Sequence, residues 1–447
     1  MMKSKPTIVL ACVWLLAALG PQSASAEQVR LQVSLDKPTM LADKRQAAFV
    51  KVGLTGFKLD GKDKRAPVNV AIVLDKSGSM QGDKIAKAKD AAIAAIGRLG
   101  SDDIVAVVAY DSTVQVIVPA TKLSDKQAVI QQIRRIEAGG STTLFAGVSK
   151  GADELRKFLD KNRVNRVILL SDGLANVGPK SPSELGGLGA SLMKEGISVS
   201  TMGLGLDYNE DLMTKLAQCS GGNHVFIEQA DNLVRVFNHE FNDVLSVVAQ
   251  EVAIEIRVAA GLRPVRVLNV DAEINGQQVL TQLNQLYSEQ EKYVLLEVEV
   301  PATQAGKSRE VAEVRVSYAN MQTKATDRLT SAVNANFTQS LADVEAKLNA
   351  HVCAAAVLQI SNAQNKLATT LRDQGDIESA RKVLLENSKY LGENAAKYNV
   401  EILQLRCADN LDQAKNLTGP EWAKYRKAMR EQQITDDRQQ SYGASKP

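Results

Sequence analysis

The period of apolar and polar positions changes several times along this chain, and each change marks a different kind of structure. Within residues 27–66, Val29-Arg30-Leu31-Gln32-Val33 and Ala48-Phe49-Val50-Lys51-Val52 alternate strictly, which predicts two antiparallel strands with one face in a core. The charged stretch Asp60 to Pro67 reads as a linker or turn. Between residues 67 and 249 short apolar runs take turns with helical spacing. Strands are expected at 68–74, 104–110, 114–118, 167–170, 197–202 and 225–227. Helices are expected at 83–99, 127–136, 146–159, 183–195, 210–218 and 231–249. Near-continuous apolar strands alternating with helices predict an α/β unit with a mostly parallel sheet covered on both faces.

Residues 250–336 return to a period of two, clearest at 252–258, 293–300 and 311–316. They predict a small antiparallel β-sandwich, with the N-terminal strands as candidates to complete it because the two segments flank the α/β unit. From 337 to 434 the pattern is helical, with helices expected at 341–374, 376–391 and 394–411 and with Gly375 and Gly392 as breaks. The polar residues 435–447 are expected to be disordered.

The first 26 residues have a different character. Lys3 and Lys5 precede an apolar run from Ile8 to Leu19, and Ala24-Ser25-Ala26 follows with small side chains. This layout predicts a secretory signal cut after Ala26, hence a periplasmic or secreted protein. A membrane anchor is the weaker alternative, because the run is short and Pro21 follows it. No later segment is apolar for long enough to span a bilayer, so no transmembrane segment is expected in the mature chain.

Removing Lys3 and Lys5 takes the formal charge from +3 to +1, which gives no electrostatic reason to expect a nucleic-acid partner. With aromatic residues at 4%, the cores must be built from Ala, Val, Leu and Ile. Cys219, Cys353 and Cys407 remain after cleavage. In an oxidising compartment Cys353 and Cys407 are the candidate pair, three free thiols being the alternative.

Candidate chemistry sits where apolar runs end. Asp75-Lys76-Ser77-Gly78-Ser79 follows the strand at 68–74, and Ser171-Asp172-Gly173 follows the strand at 167–170. Gly139-Gly140-Ser141-Thr142-Thr143 forms a third loop. Asp75, Ser77, Ser79, Thr142 and Asp172 make a set of hard oxygen donors, and open α/β sheets bind ligands at the carboxyl ends of their strands. Such a set suits Mg²⁺, with Ca²⁺ or Mn²⁺ as alternatives. The plainer reading is that Ser77 and Ser79 cap the helix near Asp83 and that Asp172 caps a turn with Gly173.

In order and type these five residues resemble the metal-ion-dependent adhesion site of the von Willebrand factor type A (VWA) domain, over roughly residues 67–248. The resemblance implies a Rossmann-like fold. It implies that Ser77, Ser79 and Thr142 contact the ion through hydroxyls, while Asp75 and Asp172 act directly or through water. An acidic residue of a partner protein would fill the open coordination position. The helix at 231–249 would be the element that shifts on ligand binding, and Lys76 would moderate the charge of the site. The flanking parts resemble, more loosely, bacterial secreted proteins labelled calcium-activated chloride channel-like.

The function expected from these residues is metal-dependent protein binding, in adhesion or as a scaffold, with a second partner on the C-terminal helices as a further reading. The alternative is an extracytoplasmic regulatory subunit of a membrane channel or transport complex. An enzyme is not expected. His239-Glu240 has Asp243 where a zinc-protease helix needs its second His, and His224, His239 and His351 are scattered. Gly186-Gly187-Leu188-Gly189 and Gly203-Leu204-Gly205 lack the residues of a phosphate loop.

Overall fold

The computed structural model describes residues 28–61 and 65–440, so the signal expected at 1–26 lies outside the described residues. The described residues begin with β1 (Arg30–Leu35), β2 (Thr39–Leu41) and β3 (Gln46–Thr55). It then enters an α/β unit of β4 (Val68–Asp75), α1 (Asp83–Arg98), β5 (Ile104–Tyr110), β6 (Val114–Lys122), α2 (Lys126–Arg134) and α3 (Leu144–Arg156). The unit continues through β7 (Val164–Ser171), α4 (Pro182–Lys194), β8 (Ile197–Leu204), α5 (Glu210–Ser220), β9 (His224–Ile227) and α6 (Leu233–Leu245). Its sheet runs in the order β6-β5-β4-β7-β8-β9, parallel except for β6.

Alternate residues of the central strands feed two separate cores, which is why those strands are apolar without a break. Val70, Ile72 and Leu74 of β4 face α1 and α6, while Ala71 and Val73 face the core that includes Leu144 of α3 and Leu212 of α5.

The chain leaves α6 through the single residue Ser246 and re-enters the sandwich. There it forms β10 (Val247–Val258), β11 (Arg263–Val267), β12 (Ala272–Asn275), β13 (Gln278–Tyr287), β14 (Glu291–Val300), β15 (Ser308–Asn320) and β16 (Thr326–Thr338). One sheet is ordered β1-β3-β14-β11 and the other β12-β13-β10-β15-β16-β2. The N-terminal strands therefore complete the sandwich, β3 pairing antiparallel with β14 over its full length and β2 joining β16 in parallel. The helix expected to reach residue 249 stops at Leu245. Val247, Val248 and Ala249 instead begin β10 and turn buried side chains inward.

Five helices end the described residues: α7 (Leu341–Ala346), α8 (Ala350–Asp373), α9 (Ile377–Tyr398), α10 (Glu401–Lys415) and α11 (Trp422–Arg438). The helix expected over 341–374 is divided because Asn349 caps α8 at Val352 N. Gly375 separates α8 from α9, but Gly392 breaks nothing. A Cβ there would lie 3.4 Å from Cys407 Sγ, so this glycine serves the close approach of α9 to α10. The break falls at Asn399, in the left-handed region with φ 52°.

Residues 435–438 belong to α11 and Gln440 is buried, against the disorder expected from 435 onward; residues 441–447 lie outside the described residues. The candidate pair Cys353 and Cys407 is not joined. All three described cysteines are free, with Cys353 buried against the Asp36 carbonyl and Cys407 beside Ser388. Arg426 of α11 pairs with Glu210, Asp211 and Asp373, and Lys427 pairs with Glu210, which fixes α11 to the start of α5.

Candidate functional site

β4 ends in a carboxylate with no exposure. Asp75 Oδ1 accepts from the Ser77 backbone N–H at 2.8 Å and Oδ2 accepts from Ser171 Oγ at 2.7 Å. The first bond curls the chain so that Ser77 and Ser79, two residues apart, bring their hydroxyls to 3.0 Å. Ser79 Oγ donates to Asp172 Oδ1 at 2.6 Å, which joins the end of β4 to the end of β7. The cap reading fails here. Ser77 makes no side-chain cap bond, and the N-cap of α1 is Gly82.

The loop carrying Thr142 is not a strand end. It connects α2 to α3 and is laid across the ends of β4 and β5 by backbone bonds: Gly139 N to Lys76 O at 2.7 Å, Gly78 N to Gly140 O at 2.9 Å, and Thr143 N to Asp111 O at 3.0 Å. Asn176 then ties it to the loop after β7. Its Oδ1 accepts from Thr142 N at 2.9 Å, and its own N–H donates to Thr142 O at 3.2 Å.

Gly173 shows that the hydroxyls converge. The position a Cβ on Gly173 would take lies 3.0 Å from Thr142 Oγ1, 3.3 Å from Ser79 Oγ and 3.8 Å from Ser77 Oγ. Three neutral oxygens from two loops, Ser77 and Ser79 after β4 and Thr142 between α2 and α3, thus converge beside the loop after β7, with the Asp75 and Asp172 carboxylates behind them. Ser79 is exposed, so the cluster opens to solvent on that side. This donor set fits a small hard divalent cation.

The electrostatics agree with that fit. Burial raises the Asp75 carboxyl above its usual range despite the bonds from Ser77 and Ser171, and the nearby Asp172 adds to the rise. Burial, followed by the Asp75 charge, raises the phenol of Tyr110 well above its usual value. Lys76 does not moderate the site as expected, because its ammonium turns away and pairs with Asp111. Partial burial works to raise Asp111, but the bonds from Lys76 and Thr113 outweigh it and hold the carboxyl low.

The five expected residues come together, and three others hold them: Ser171 on Asp75, Asn176 on Thr142, and Lys84, whose ammonium lies 2.6 Å from Asp172 Oδ2, while Asp111 holds the neighbouring Lys76. Ser171 was legible as the neighbour of Asp172, and Lys84 as a cation in the first turn of a helix. Nothing in the sequence points to Asn176 or Asp111.

The family model for the von Willebrand factor type A domain matches residues 69–239. Residues 69–239 form a VWA domain. The chain is similar in fold, over most of its length, to a von Willebrand factor type A protein from Catenulispora acidiphila. The two are 18% identical with a TM-score of 0.66, over 85% of this chain and 90% of that one. It is also similar to the ArnB paralog VWA2 from Sulfolobus acidocaldarius, 15% identical with a TM-score of 0.64, over 92% and 98%. At these identities the likeness is one of fold alone, but it takes in the parts flanking the VWA domain. An uncharacterized protein of Synechocystis, sll0103, is 27% identical over 271 residues, 58% of this chain and 64% of its own length. The chain thus spans less than two thirds of that relative. These comparisons give no support to the looser likeness to calcium-activated chloride channel-like proteins.

Proposed function

We propose that this chain is an exported, metal-dependent protein-binding protein. Asp75, Ser77, Ser79, Thr142 and Asp172 hold Mg²⁺, or Ca²⁺ or Mn²⁺ in its place, and an acidic residue of a partner completes the site. The observation that carries this reading is the convergence of three hydroxyls from two loops beside Gly173 in a third. A bound divalent cation supplies Lewis acidity and a coordination position for a carboxylate.

The chain's own residues do the rest. Neutral hydroxyls add no negative charge that would repel an incoming carboxylate. Ser171 and the Ser77 N–H fix the rotamer of Asp75, and Asp172 orients Ser79. The rim suits a protein surface. β7 and β8 are in register at Ser171 and Gly203, and the loops that follow them carry the exposed Leu174 and Leu206. Exposed Val177 lies in the same loop as Leu174. Apolar side chains around a polar centre are what a protein interface uses.

We read binding without catalysis. The buried His224 hydrogen-bonds Thr201 and Tyr208, and burial, followed by the Lys427 charge, lowers its pKa to about 3, so it stays neutral and structural. Export rests on the layout of residues 1–26. No helix among the described residues is long and apolar enough to cross a membrane.

The test is affinity capture from envelope and medium fractions, with and without EDTA, comparing the unaltered chain with Asp172→Ala. A partner lost both in EDTA and in Asp172→Ala is expected. A partner recovered equally in all conditions would refute the assignment.

A further inference from the structure

Lys84 is the second residue of α1, at the end of the helix where the backbone dipole disfavours a cation. What draws it there is Asp172. The ammonium donates to Oδ2 at 2.6 Å while Ser79 Oγ holds Oδ1 at 2.6 Å, so both oxygens of a fully buried carboxylate are engaged. Gly205, in the loop after β8, borders the same spot: a Cβ on it would lie 3.8 Å from Lys84 Nζ. The Lys84 side chain is 32% exposed and therefore has a way out to solvent.

Resting on the metal-binding reading above, we propose that Lys84 is a resident counter-cation that sets the divalent affinity of the site. Its ammonium would act on a bound ion through Asp172, whose Oδ2 it already holds. It neutralises one of the two carboxylates before metal arrives and holds Asp172 against Ser79. The divalent ion must bind beside this positive charge or push it outward along the flexible side chain, and either course weakens metal binding. The same charge helps partner capture. Lys76 and Asp111 cancel one another, so two carboxylates and one ammonium leave the site with one net negative charge. A divalent ion turns this into one net positive charge, which draws in a carboxylate. Without Lys84 the loaded site would be neutral.

The experiment uses the full mature chain and the metal alone. Mg²⁺ and Mn²⁺ are titrated by calorimetry into the unaltered protein, Lys84→Met, Lys84→Gln and Lys84→Arg. Melting is followed in EDTA and in saturating Mg²⁺. Lys84→Met and Lys84→Gln are expected to bind both ions about tenfold more tightly, the scale on which groups behind a metal ligand act. Lys84→Arg is expected to stay near the unaltered affinity. In EDTA the two neutral variants should melt lower than the unaltered chain, and saturating Mg²⁺ should close the gap. Unchanged or weaker affinity in either neutral variant, with a native circular dichroism spectrum, overturns the proposal. If the unaltered chain and Asp172→Ala take up Mg²⁺ equally, the metal site itself fails, a result distinct from a null effect at Lys84.

Discussion

Replacing Gly173 with Ala tests whether the three hydroxyls share one ion. The added methyl would lie 3.0 Å from Thr142 Oγ1 and 3.3 Å from Ser79 Oγ, short of ordinary carbon–oxygen contact, so those oxygens must retreat by a few tenths of an ångström. The fold can absorb this. Gly173 is not in the left-handed region, so Ala meets no backbone strain, and Ser79, though bonded to Asp172, is exposed and can shift outward. A cost of about 1 kcal/mol in stability is expected. The ion cannot adapt in the same way. Mg²⁺ requires oxygens at about 2.0–2.1 Å, and ligand positions must hold to roughly 0.2 Å. Spreading Thr142 away from Ser79 by more than that costs at least one ligand. The expected result is a fall in Mg²⁺ affinity of tenfold or more, about 1.4 kcal/mol.

Calorimetric titration with Mg²⁺, alongside melting in EDTA, separates the two effects. Gly97→Ala serves as a control, since a Cβ there meets nothing within 4 Å. A Gly173→Ala protein that melts normally and binds Mg²⁺ within twofold of the unaltered chain would mean that the ion does not sit among these hydroxyls.

Two further predictions concern the body that carries the site. Lys292 is buried over the Tyr287 ring, and burial, followed by the charges of Arg438 and Arg166, brings its pKa down to about 7. A folded pKa below the unfolded value of 10.5 means that the unfolded chain binds more protons between pH 7 and 10.5. Stability from this group therefore rises with pH across that window, and its penalty is full below pH 7. Lys292→Met should raise the melting temperature at pH 6, by roughly 3 kcal/mol of stability, and by much less at pH 10; an equal gain at both would contradict the burial of a charged lysine. Arg166, fully buried on β7, donates to Glu240 of α6 at 2.6 Å and to Tyr287 of β13 at 3.1 Å. Denaturant melts of Arg166→Met should show a loss of about 3–5 kcal/mol, and the double change with Glu240→Gln should recover part of it, because it removes the buried negative charge that Arg166 balanced. Additive losses would refute the pairing.

The legible parts of the chain were those where one physical demand fixes the pattern. The strands of the α/β unit must be apolar on both faces, and an oxygen site must carry Asp, Ser and Thr at loop positions, so both showed in the sequence. β16 was not legible, because Thr326 to Asn334 are exposed or half-buried and carry almost no apolar period. β10 was misread at its start because Val247-Val248-Ala249 suits a helix continuing from α6 as well as a buried strand. Gly392 was misread because a glycine that ends a helix and one that admits a neighbouring helix look alike in sequence. Asn176 and Asp111 escaped notice because their roles depend on the α2–α3 loop lying across the strand ends, a long-range arrangement that no local pattern encodes.

The helix expected to move on ligand binding has its freedom limited by the same arrangement. α6 joins β10 through one residue, and its Glu240 is buried against Arg166 and Ser200. Asp243 accepts from Gln440 at the C-terminal end of the described chain, and Phe237 and Phe241 lie in the core shared with α1. Sliding α6 along its axis would separate Glu240 from Arg166 in a region with no exposure, which costs about 3–5 kcal/mol. Ligands coupled to distant sites typically supply about 1–3 kcal/mol. On these magnitudes a partner's carboxylate at the metal site does not drive α6 past its buried ion pair, unless the sandwich moves with it as one piece. The Arg166–Glu240 pair therefore holds α6 to β7.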